Sequence, residues 1–164
     1  MYRCLSLKKI PLSKLQIICL CILFLASCQT IDVYEKTSSF PSHNWQSNNK
    51  PSFTFDITDT AALYNIYFVI RHEDAYGYNN IWVNMLVQQP DDTINIRREF
   101  ILANNKTGWL GSGMDDIFEH RIPFSDKPAH LHKGKYTFTL QQDMREDPLD
   151  HVLNAGIRVE KATH

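Results

Sequence analysis

Past Cys28 the chain has no cysteine. That excludes disulfide bracing and any thiol nucleophile in whatever follows residue 28. Glycine is scarce, six in 164 residues. The cluster Gly108, Gly111 and Gly113 does not fit the spacing of a phosphate loop or a dinucleotide fingerprint. No G-x-S-x-G element occurs, so the serine elbow of the α/β-hydrolases is missing. Basic excess is missing too: 17 Lys+Arg face 18 Asp+Glu, which leaves no electrostatic case for nucleic acid. No segment past residue 60 carries a long helical period. No apolar run reaches the ~20 residues that a membrane-spanning helix needs.

What is present begins at the N-terminus. Arg3, Lys8, Lys9 and Lys14 precede an apolar run from Leu15 to Leu25, interrupted only by Gln16. Small residues then lead into a cysteine, in Leu25-Ala26-Ser27-Cys28. A basic, then apolar, then small-residue order is that of an export signal. A cysteine just after the small residues makes it a bacterial lipobox, with cleavage before Cys28 and acylation of its sulfur. More than one acyl chain makes such an anchor durable, at ~0.8 kcal/mol per buried CH₂. Residue 29 is Gln rather than Asp, so the common inner-membrane retention signal is absent. The expected site is the outer membrane, on its periplasmic face.

Cleavage after residue 27 leaves 137 residues, the size of one domain. The four bases of the signal leave with it, so 13 Lys+Arg then face 18 acids and the net charge falls to about −5. Residues 28–51 read as the lipidated cysteine and an extended tether, polar and rich in Ser and Asn. Phe40 and Trp45 are unusual in such a linker and suggest an arm docked on the domain. Residues 52–164 form the expected domain.

There the apolar period is two. Tyr64, Ile66, Phe68 and Ile70 share one parity, as do Tyr136, Phe138 and Leu140. Ile157 and Val159 alternate with Arg158 and Glu160. Further runs are Ser52–Ile57, 81–87 and 94–97. Gly77 with Asn79 and Asn80 reads as a hairpin connection, and Pro90-Asp91-Asp92-Thr93 as a turn. The fold class is all-β, an antiparallel β-sandwich of seven or eight strands. One helical turn is expected at residues 115–120.

Few residues promise chemistry. His72-Glu73-Asp74 reads as a solvated hairpin mouth, since neighbours on a strand face opposite ways. Asp115, Asp116, Glu119 and His120 are the best metal candidates, because a helical turn would put Asp116 and His120 on one side. They lack the glycine and the spacing of a calcium loop. His130-Leu131-His132 sits between Pro128 and Gly134, as a loop does. No metal, no cofactor and no catalytic residue is therefore expected. The stretch Gly108–Gly113 reads as a surface loop whose Trp109 either plugs the sandwich end or meets a partner. Tyr76 and Tyr78, on the same reasoning, sit at a loop tip. Exposed aromatics are enriched where proteins bind. Residues 141–149 read as a solvated strand exit.

Several stretches together resemble one family. They are the lipobox, Trp82-Val83-Asn84, Gly108-Trp109-Leu110-Gly111-Ser112-Gly113-Met114-Asp115-Asp116-Ile117, residues 140–149 and residues 152–161. They resemble the gliding-motility lipoprotein GldH family of Bacteroidetes. The resemblance implies a non-enzymatic envelope lipoprotein that works with other gliding-motility lipoproteins and with secretion-system envelope proteins. Trp109, Gly111, Gly113, Tyr76 and Tyr78 are then the expected docking surface, and Cys28 the membrane anchor. The alternative is a glycan-binding periplasmic sandwich using Trp45, Trp82 and Trp109. A metal-assisted hydrolase ranks last.

Overall fold

The computed structural model describes residues 33–162, so the signal segment, the lipobox and Cys28 lie outside the described residues. Strands are numbered along the chain. One sheet runs β1 (Val33–Ser39), β14 (Val152–Lys161), β4 (Leu63–Glu73), β10 (Ile117–Pro123), β9 (Ser112–Met114), with the two-residue β11 (Ala129–His130) also beside β4. The other runs β3 (Ser52–Ile57), β12 (Gly134–Gln142), β5 (Asn80–Gln88), β6 (Thr93–Ile101). Two short ladders sit outside them: β2 (Asn44–Trp45) with β13 (Leu149–Asp150), and β7 (Ala103–Asn104) with β8 (Gly108–Trp109). Every pairing is antiparallel. The all-β sandwich expected from the period of two is the observed fold.

Alternation places the core. Phe68, Ile70, Ile157 and Val159 face inward from the first sheet; Phe53, Phe55, Ile81, Val83, Met85, Phe138 and Leu140 face them from the second. The rings of Phe68 and Phe100 meet across the interface, centroids 4.5 Å apart. Each such buried side chain contributes about 1.5–3 kcal/mol relative to exposure. Trp82, of opposite parity to Val83, lies on the outer face under the Arg97 guanidinium, 4.1 Å from its ring centre.

Four expectations are corrected here. Gly77 does not mark a hairpin, because β4 and β5 belong to different sheets; residues 74–79 are an arch across the sandwich end. Residues 115–120 form no helical turn. Asp115-Asp116 is the two-residue loop between β9 and β10, and Asp115 takes a φ of 56°, which such loops require and Asp tolerates. The domain begins at β1, not at Ser52. β1 pairs with β14 over seven residues, Phe40 and Trp45 are buried, and Trp45 Nε1 donates to Asn49 O at 2.8 Å. Residues 141–149 are a solvated exit only in part, since 145–148 are exposed but the stretch is anchored at both ends. They carry the chain back between sheets, with Gln142 and Leu149 buried and the Gln142 amide spanning Met144 N and Glu146 O.

Candidate functional site

The chemistry gathers at the end of the sandwich where the arch crosses. His72 is the last inward residue of β4. Around it stand Trp109 (centroids 4.4 Å), His120 (5.0 Å), Tyr76 (5.1 Å) and Phe118 (5.9 Å). Register explains the last of these: Phe118 lies directly opposite His72, on the same face. Phe118, His120 and Ile122 form the inward parity of β10, and Glu119 and Arg121 the outward one.

Hydrogen bonds fix the tautomers. His72 Nδ1 lies 2.7 Å from Glu73 O, and a carbonyl only accepts, so Nδ1 carries the proton. In the neutral ring His72 Nε2 then accepts, and His120 Nε2–H donates to it at 2.9 Å. Burial lowers the pKa of both rings, that of His120 to about 4. The pair is neutral near pH 7.

Trp109 is half-buried, and its indole Nε1 donates to Asp74 Oδ1 at 2.6 Å. That bond ties the β7–β8 ladder to the arch. Tyr76 is fully inside: its hydroxyl donates to Asn80 O at 3.0 Å, and burial pushes its phenol upward from the ordinary range. It is not a displayed loop-tip aromatic. The arch must close the gap between two sheets, and a large apolar ring fills that gap. Tyr78 does face solvent, and its hydroxyl donates to Glu146 at 3.1 Å. Gly111 lies flat on β10; a Cβ there would meet Glu119 O at 2.4 Å and the His120 ring at 2.8 Å. Gly113 sits over the Phe118 ring. The structure thus brings Trp109, Gly111, Gly113 and Tyr76 around the same histidine pair, with Tyr78 beside Tyr76.

The acidic candidates do not converge. In a strand Glu119 and His120 point to opposite faces, so Glu119 pairs with Arg121 at 2.7 Å outside while His120 is inside. His72, Glu73 and Asp74 also part company. Glu73 accepts from His151 at 2.6 Å and His43 at 2.7 Å, which holds its carboxyl below the usual range. His132 bonds Asp91 at 2.8 Å. Among the described residues no three His, Cys, Asp or Glu side chains are grouped to hold a metal ion. The three indoles occupy separate settings: Trp45 in the core, Trp82 outside beneath Arg97, Trp109 in the end cluster. They form no shared sugar platform.

Sequence reading missed the histidine pair and β10. The signal was present: Phe118, His120 and Ile122 alternate with Glu119 and Arg121, a period of two hidden by the expectation of a helical turn. It also missed how much apolar surface flanks β9. Met114 is 79% exposed, Leu110 55% and Ile101 50%. A cleft of about 430 Å³ on one side is lined by Ile101, Leu110, Gly111 and residues 119–123. A second, about 330 Å³, lies by Arg71, Met114 and the Asp115-Asp116 loop.

Comparison with known proteins identifies the family. The family model of the GldH lipoprotein matches residues 32–159. A gliding motility lipoprotein GldH homolog of Christiangramia forsetii is 26% identical over 149 residues, covering 86% of this chain and 91% of the relative. Gliding motility lipoprotein GldH of Flavobacterium johnsoniae is 24% identical over 153 residues, covering 88% and 94%. Among solved structures, a chain of infectious bursal disease virus (Gx strain) aligns over 80% of this chain and 32% of its own, at a TM-score of 0.30 and 15% identity, too distant to inform fold or function. A match across β1 to β14 leaves a plain conclusion: the chain belongs to the GldH lipoprotein family.

Proposed function

We propose that this chain is a non-catalytic subunit of the gliding-motility apparatus, held in the outer membrane by acylated Cys28 and facing the periplasm. There it docks on other envelope proteins of that apparatus and of the associated secretion machinery. Family membership and the names of its relatives support the motility role. The lipobox and Gln29 support the anchor and its membrane. One observation carries the docking role. The β9 end keeps Leu110 and Met114 in solvent, while Trp109, next to Leu110, is bonded to Asp74 of the arch and Gly113, next to Met114, is seated over the Phe118 ring. Apolar side chains on a rigid support are what a partner surface needs.

The test is complementation of a deletion strain. Cys28→Ala should leave the protein unlipidated and outside the outer-membrane fraction. Leu110→Asp with Met114→Asp should abolish rescue of surface spreading while thermal unfolding stays within a few degrees of wild type. Full rescue by the double variant would remove the β9 end as the docking surface. Trp109→Ala should loosen this end as well as weaken assembly, because its indole is bonded to Asp74.

A further inference from the structure

The larger cleft beside β9 has a specific cause. β9 runs along β10 only as far as the pair Ser112↔Glu119. Gly111 still lies against Glu119 and His120, but before it the chain swings away, and Leu110 N donates to Leu102 O at 2.8 Å instead. β10 continues to Pro123, paired with β4 alone. Its other edge, from His120 onward, faces the cleft.

The hairpin decides which groups line that edge. Residues flanking a two-residue loop exchange hydrogen bonds, so Ile117 turns its N–H and C=O toward β9. Every second residue does the same, which gives Glu119 and Arg121, with Pro123 offering its carbonyl alone. The opposite parity agrees, since Phe124 N donates the other way, to Ile66 O of β4 at 2.8 Å. Arg121 therefore presents a backbone donor and acceptor to the open cleft of about 430 Å³. Ile101, Leu110 and Ile122 line its inner side, and Glu119 and Arg121 its outer side.

We propose that this gap accepts an extended segment of another envelope protein, which adds to β10 as a short strand. The inference rests on the docking reading and specifies its mode. An extended polypeptide supplies the acceptor for Arg121 N–H and the donors for the Arg121 and Pro123 carbonyls at strand spacing, and strand addition is its usual way of binding a free edge. The cleft also sets the pattern of that segment. Apolar side chains turn inward to Ile101, Leu110 and Ile122, and polar ones turn outward beside Glu119 and Arg121.

Arg121→Pro isolates the backbone contribution. Proline there removes the donor that faces the gap and leaves the β4 ladder intact, as edge positions allow. Arg121→Ala removes the side chain and keeps the donor. The full lipoprotein, carrying the photocrosslinker p-benzoylphenylalanine at position 110, is irradiated in cells in each background. The expected result is an adduct with another envelope protein, on a segment of alternating apolar and polar residues. It persists with Arg121→Ala and drops at least fivefold with Arg121→Pro. Equal adducts in both variants would overturn strand addition while leaving docking in place. An adduct between two copies of this chain would overturn the assignment of the occupant. No adduct in any background would overturn the docking reading as well. If Arg121→Pro does not fold, amide exchange at Arg121 in the native lipoprotein decides. Slow exchange in solubilised envelopes and fast exchange in purified protein supports the proposal; equal exchange overturns it.

Discussion

The sheet that runs from β1 to β9 has two edges, and they are built differently. At one, β1 covers β14 without a break from Val33↔Glu160 to Ser39↔Asn154. Among its outward residues Glu35 is charged, and it pairs with both Arg121 and Arg158. Its inward Tyr34 reaches the other sheet and meets Phe55 at 5.2 Å. At the other edge β9 accompanies β10 for three residues and then leaves it. Leu110 and Met114 there stay in water. Charged side chains and covered gaps are how sheets avoid unwanted pairing. One edge of this sheet ends in a continuous strand that carries the charges of Glu35 and Lys36, the guarded edge; the other ends in a strand that stops after three residues, the unguarded edge. The unguarded edge is also where the histidine pair, Trp109 and the glycines converge, which is why the proposed docking surface lies there.

The guarded edge depends on burial, and the largest effect should come from its anchor. Trp45 lies in the core and stacks on Phe40, centroids 5.1 Å apart, holding the turn that follows β1. Trp45→Ala should cost about 4 kcal/mol in denaturant unfolding. If the loss were under 1 kcal/mol, residues 33–51 would be a dispensable tether after all.

At the unguarded edge the pH dependence should stand out. His120 titrates at about 4 when folded against its ordinary 6.5, and His72 is lowered too. The unfolded chain thus binds protons that the folded one refuses. Stability is full above pH 6.5 and falls as pH drops toward 4, by about 3 kcal/mol for His120 alone. Unfolding free energies at pH 7 and pH 4.5 should differ clearly less in His120→Gln than in wild type. Identical pH slopes would mean that the pair is not buried neutral.

Close packing at the two edges can be compared directly. A Cβ on Gly156 would meet the β1 backbone, Lys36 O at 2.1 Å and Thr37 Cα at 2.6 Å; one on Gly113 would meet only the Phe118 ring. Backbone cannot step aside as a ring can. Gly156→Ala should cost about 2 kcal/mol and expose β1 to protease, against about 1 kcal/mol or less for Gly113→Ala. The reverse order would contradict the assignment of a rigid edge and an adaptable one. The smallest effect should be Glu35→Ala. Its ion pairs lie at the surface, and their loss should cost under about 1 kcal/mol, diminishing further in salt.

Much of this was legible as period and parity. Tyr136, Phe138 and Leu140 point inward and Thr137 and Thr139 outward, as alternation requires. Ile157 and Val159 against Arg158 and Glu160 behave the same way. Period two gives a face but not a sheet, so the partners of β4 could not be read, and Gly77 looked like a hairpin. Tyr76 was misplaced for the same reason: on a hairpin tip it would face water, on an arch it fills the end. The lipobox was legible because it is a local signal read by enzymes. The edge gap was not, because it arises where the β7–β8 hairpin draws Leu110 back to Leu102 and away from β10. His72 and His120 meet 48 residues apart through register alone.

The most direct measurement places p-benzoylphenylalanine at Met114 and, separately, at Thr37 on the β1 edge, in full lipoproteins irradiated in living cells. A discrete adduct with another envelope protein from position 114, and none from position 37, is the predicted result. Equal adducts from both positions, or an adduct from position 37 alone, would contradict the claim that the β9 edge is the docking surface.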